Sequence, residues 1–72
     1  MKINMKKFAK WVDPQGKIVK ITPQYVVINK RPGTFEKQYW QSNINEKYTR
    51  KEIIQIYSHL SSEEKKGIDW VE

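Results

Sequence analysis

Seventy-two residues, 38% hydrophobic and 31% charged, make one small soluble domain with no room for a second core. Cysteine is absent and histidine occurs once, which excludes disulfides and thiol nucleophiles and leaves almost nothing for a zinc site or a His-based triad. Fourteen Lys and Arg stand against eight Asp and Glu, a net +6, and the excess is lopsided: positions 1–40 hold nine bases against two acids, positions 41–72 five against six. A first half at +7 and a second at −1 point to a basic face that meets something anionic.

Residues 2–12 read as a strand. Ile3, Met5, Ala9 and Trp11 share one parity, with Lys7 as the exception. Lys2, Asn4, Lys6 and Lys10 share the other, joined by Phe8 and Val12. The blurred parity around Phe8 suggests a bulge. Asp13-Pro14-Gln15-Gly16 is a turn: Asp accepts backbone hydrogen bonds, Pro presets φ, and Gly tolerates a positive φ. Residues 17–21 follow as a second strand, so residues 2–21 form a predicted hairpin. Thr22-Pro23 interrupts it, because Pro cannot donate to a ladder.

Residues 24–29 contain Tyr25, Val26, Val27 and Ile28, apolar on both parities. Such a strand is central in a sheet or covered at a subunit contact. Arg31-Pro32-Gly33-Thr34 is a second turn. Residues 35–41 read as a strand by aromatic content, although Phe35 and Tyr39, four apart, also suit a helix. Residues 42–45 read as a loop.

Thr49-Arg50-Lys51-Glu52 is a capping box, and Ile53, Ile56, Tyr57 and Leu60 then make an apolar stripe at helical period. A second box, Ser61-Ser62-Glu63-Glu64, opens a short helix that Gly67 ends. Ile68 and Trp70 are placed to fold back as an apolar clasp. The predicted fold is α+β: a small antiparallel sheet of three strands, four if residues 35–41 join it, with one main C-terminal helix packed on one face. No run approaches the roughly 20 apolar residues of a membrane span, and the basic start lacks the apolar stretch of a signal peptide. The expected location is the cytoplasm, with no membrane partner.

A domain this small buries only about 60% of the surface its unfolded chain exposes. Nine aromatics are more than one thin core needs. A homodimer is therefore expected, with Trp11, Tyr25, Val27 and Trp40 as candidate contacts.

The segments WVDPQGKIVKIT (residues 11–22), YVVI (25–28) and TRKEIIQIYSHL (49–60) resemble the YopT-like proteins of Bacillus prophages, which share only a name with a bacterial cysteine protease. The resemblance covers nearly the whole chain and rests on structural segments, not catalytic ones. It implies a homodimer of three-stranded, one-helix monomers. It implies no activity, and no functional residue carries over from it.

Lys6, Lys10, Lys17, Lys20, Lys30 and Arg31 are the candidate anion-binding residues, projecting from the predicted ribbon and the turn beyond it. Cations along a ribbon track phosphates, and nearby aromatics offer stacking surfaces to single strands. Lysines on exposed strands also deter aggregation and can be no more than a solvated face. The aromatics read more simply as core or dimer residues. Ser58, His59, Ser61 and Asp69 invite a hydrolase reading, but no strained nucleophile elbow accompanies them. Glu63 and Glu64 are first-turn charges that favour the helix dipole. No cofactor or metal is expected. Two readings follow: a non-enzymatic prophage-type accessory protein, homodimeric, that docks on a host or phage protein; or a module that binds DNA or RNA through the basic hairpin.

Overall fold

The computed structural model describes residues 1–30 and 44–72. Its elements are α1 (Met5–Val12), β1 (Lys17–Ile21), β2 (Tyr25–Lys30), β3 (Ile44–Thr49), α2 (Arg50–His59) and α3 (Ser62–Lys66). The three strands form one antiparallel sheet in the order β1-β2-β3. The fold is α+β, as expected. The predicted turn at 31–34 and the strand-or-helix segment 35–41 lie outside the described residues.

The N-terminal segment is a helix, not a strand, and the 2–21 hairpin does not exist. Met5, Phe8 and Ala9 are buried and Val12 half-buried, which is the i, i+3, i+4, i+7 spacing of a helix face. What read as a bulge at Phe8 is the helical period breaking through the alternation. Met, Lys and Ala are good helix formers. Asn4 caps the start by accepting the Lys7 N–H at 3.0 Å. The helix ends where Asp13 precedes Pro14, since a residue before proline is pushed out of helical φ/ψ. The Asp13 N–H still reaches the Ala9 carbonyl at 3.1 Å.

The turn at Asp13-Pro14-Gln15-Gly16 forms as predicted, with the Asp13 carboxylate accepting from Gln15 N–H at 3.0 Å and the Gly16 N–H donating to Asp13 O. Gly16 has no positive φ. Its role is close approach: a Cβ there would stand 3.1 Å from the Asn29 carbonyl and 3.1 Å from the Asp13 Cβ.

The real hairpin joins β1 to β2. Thr22 closes it: its N–H donates to the Tyr25 carbonyl, and its hydroxyl accepts from the N–H groups of Gln24 and Tyr25. Pro23 sits in the turn, where its missing donor is harmless. A bulge in β1 lies between Ile18 and Lys20. Ile44 and Asn45, expected in a loop, begin β3.

One side of the sheet meets the core. Val26 and Ile28 are fully buried with Phe8, Ala9, Ile53 and Trp70. The helix over β1 and β2 is α1. The C-terminal helix α2 runs on from β3 and sends Ile53 into the core, with Ile56, Tyr57 and Leu60 half-buried around it. Both predicted capping boxes are present. The expected clasp also forms. Trp70 is wholly buried, edge-on to Phe8 (5.0 Å, 84°) and Tyr57 (5.8 Å, 77°), while Ile3 and Val71 make a two-residue bridge that ties the ends of the chain together.

Candidate functional site

Since Val26 and Ile28 point to the core, Tyr25, Val27 and Asn29 point to the other side of the sheet. Paired residues share a face, and the register therefore lays out three rows there. Lys17, Asn29 and Asn45 form the first, Lys20, Val27 and Lys47 the second, Tyr25 and Thr49 the third. Three lysines and no carboxylate occupy these eight positions. The Lys47 ammonium lies 4.3 Å from the Tyr25 ring centroid and the Lys20 ammonium 5.8 Å from it. In the first row the Asn29 amide donates to the Asn45 side-chain oxygen at 2.7 Å.

Glu52 borders the face at its Thr49 end. It accepts from the Thr49 N–H at 3.1 Å and from the Thr49 hydroxyl at 3.0 Å. These bonds, the backbone one first, hold its carboxyl below the usual value, with the Lys47 charge adding to the effect.

The other predicted anion-binding residues do not join this face. Lys6 and Lys10 stand exposed on α1, which packs against the opposite, core-facing side. Lys30 points to the core side with Val26 and Ile28, and its ammonium is held by Glu46 and the Tyr48 hydroxyl. The Glu46 hydrogen bond, with help from Tyr48, raises the Lys30 pKa against the opposing effect of partial burial. Arg31 lies outside the described residues. The single basic ribbon is thus replaced by two separated groups of lysines, because its first strand is a helix on the other layer. Of the six, Lys17 and Lys20 remain on the sheet face. The lysine missed is Lys47: only its pairing opposite Val27 puts it there. The hint in the sequence was Tyr48, a good strand former, directly before the helix cap Thr49.

The candidate dimer contacts are divided as well. Tyr25 and Val27 are half-buried on the lysine face. Trp11 is 42% exposed on α1, beside Phe8 and Trp70. Trp40 lies outside the described residues.

Elsewhere, a cleft of about 530 Å³ opens between Met1, Lys2, Ile3, Pro23, Gln24 and Arg50. The Arg50 guanidinium donates to the Met1 carbonyl across it. Among the described residues its lining holds Lys2 and Arg50 but no carboxylate, hydroxyl or imidazole. The Ser58 hydroxyl donates to the Gln55 carbonyl, the Ser61 hydroxyl accepts the Glu64 N–H, and His59 and Asp69 are exposed. Among the described residues no three His, Cys, Asp or Glu gather as metal ligands, and no helix is long and apolar enough to cross a membrane. No family model, no curated protein and no solved structure matches the chain.

Proposed function

We propose that this chain is a non-enzymatic binding module whose lysine-bearing sheet face holds a nucleic-acid phosphate backbone. The observation that carries the reading is the convergence of Lys17, Lys20 and Lys47, from both edge strands, around Tyr25 and Val27. Lys20 and Lys47 sit two strand spacings apart, about 10 Å, with an aromatic ring beside them. An acidic peptide would use the charges but has no need of the ring. The engaged hydroxyls of Ser58 and Ser61 support a non-catalytic role.

Fluorescence anisotropy with a labelled oligonucleotide tests this. Binding is expected at low salt and should weaken as salt rises, with a log–log slope of about −2 to −3 for three neutralised phosphates. Changing Lys17, Lys20 and Lys47 together to Gln should abolish it. Absence of binding at low salt, or binding indifferent to salt, overturns the proposal.

A docking reading is favoured by the exposed Trp11. The occupant it best suits is a second copy of this chain meeting through the α1 side. A two-fold contact through the sheet face would set three lysines against their own copies. Sedimentation equilibrium of wild type and Trp11→Ala tests this: a dimer lost in the variant supports it, and a wild-type monomer at tens of micromolar, roughly the range for an interface of 6–7 kcal/mol, rejects it.

A further inference from the structure

We infer that the sheet face takes single-stranded rather than duplex nucleic acid, with one base stacked on Tyr25 where the Lys47 ammonium now lies. This rests on the phosphate-binding reading above and names its ligand class.

Tyr25 stands in the third row, facing away from the core, and two ammonium groups gather over its ring. A ring whose face admits a cation from the solvent side also admits a flat base. The displaced ammonium moves only as far as its flexible stem allows, toward the phosphate that accompanies the base. Lys20 and Lys47 flank β2 from either side, so a strand laid along β2 finds a cation on each flank. From the first row to the third is about four residues of strand, roughly 13 Å, enough for a short run of nucleotides. Val27 supplies apolar contact midway, and Asn29 and Asn45 put amides at the far end.

A duplex fits this arrangement less well. Its bases are paired and stacked on one another, so their faces are closed to Tyr25. It could meet the lysines but would leave the ring idle. Charge by itself predicts the reverse preference, because a duplex carries the denser line of phosphates. Strand preference therefore separates stacking from simple attraction.

The experiment compares three probes of equal length at one low salt concentration: a single-stranded oligothymidylate, a duplex, and an abasic deoxyribose-phosphate oligomer. Wild type, Tyr25→Phe and Tyr25→Leu are each titrated. Wild type should prefer the single strand to the abasic oligomer by about 5- to 150-fold, the range for one stacked base. Tyr25→Phe should keep that margin and Tyr25→Leu should lose it. In wild type the Tyr25 ring protons should move upfield on saturation with the single strand, a readout that survives if Tyr25→Leu fails to fold. Equal affinity for all three probes, or unmoved ring protons, overturns the stacking inference while leaving phosphate binding intact. Failure of every probe to bind overturns both.

Discussion

The Lys47 ammonium rests 4.3 Å from the centre of the Tyr25 ring, across two neighbouring strands of the sheet. Lys47 pairs with Val27, so it reaches Tyr25 along the diagonal, and Lys20 reaches the same ring from the other flank. At an exposed site such a contact contributes about 0.5–1 kcal/mol, small beside the roughly 3–5 kcal/mol a core of this size supplies. Lys47→Met should therefore lower stability by no more than about 1 kcal/mol in urea titrations followed by tryptophan fluorescence. A larger loss would mean that Lys47 is part of the scaffold and unsuited to report on binding.

The division of the lysines makes a sharper prediction. Lys6 and Lys10 lie on the far layer, and Lys30 is tied to Glu46 and Tyr48. At an ionic strength of about 0.15 M charges are screened beyond about 8 Å. Lys6→Gln with Lys10→Gln, and separately Lys30→Gln, should leave oligonucleotide affinity within about twofold at that salt. Lys20→Gln and Lys47→Gln should each weaken it and flatten its salt slope by nearly one unit. If the α1 lysines matter as much as Lys20, the bound chain wraps both layers and the sheet face is not the site.

The legible parts of the fold were those specified within a few residues. Thr49 with Glu52, and Ser61 with Glu64, spell their caps locally, and Asp13-Pro14-Gln15-Gly16 spells its turn. β2 was legible because Val26 and Ile28 face the core while Tyr25 and Val27 are shielded by neighbours on both sides. The segment before Asp13 misled because eight residues of helix show little more than two turns, and four of its apolar positions, Ile3, Met5, Ala9 and Trp11, also satisfy an alternating pattern. Phe8 and Val12 carried the deciding signal, together with Asn4 as a cap. Of the lysine face only Lys17 and Lys20 were legible, since Lys47 joins Lys20 only through pairings that span about twenty residues of chain. A strand over residues 2–12 would carry Lys6 and Lys10 beside Lys17 and Lys20, whereas the helix carries them on the other layer.

Trp70 closes the core against Phe8, Tyr57 and Trp11, yet its buried indole N–H has no hydrogen-bond partner among the described residues. Its stabilising effect comes from packing alone, against the cost of that orphan donor. Trp70→Ala should cost about 3–5 kcal/mol, enough to unfold the domain. Trp70→Phe removes part of the ring but no hydrogen bond, and should keep a cooperative transition. Circular dichroism melts of the two variants check this. Equal collapse of both would show that the six-membered ring cannot hold the contacts to Phe8 and Tyr57.

Acid should loosen the helix starts before it loosens the core. Glu52 and Glu64 each accept a backbone N–H, from Thr49 and Ser61 respectively, and a hydroxyl from the same residue; these bonds lower both carboxyl pKa values from the ordinary 4.5. A carboxyl with a depressed folded pKa stabilises the fold fully above its unfolded value and stops doing so as pH falls through the folded one. The loss should therefore begin near pH 4.5 and be complete only below that, while Val26 and Ile28 hold. The Thr49 and Ser61 amide protons should shift together over that acid window in NMR spectra. Thr49→Ala removes the hydroxyl bonds but keeps the backbone N–H, so it should shrink the first of these titrations without abolishing it, leave the second, and cost about 1 kcal/mol at neutral pH through the lost cap. Amides that titrate at the ordinary carboxylate value, or that do not respond to acid, would mean that the capping boxes are open in solution.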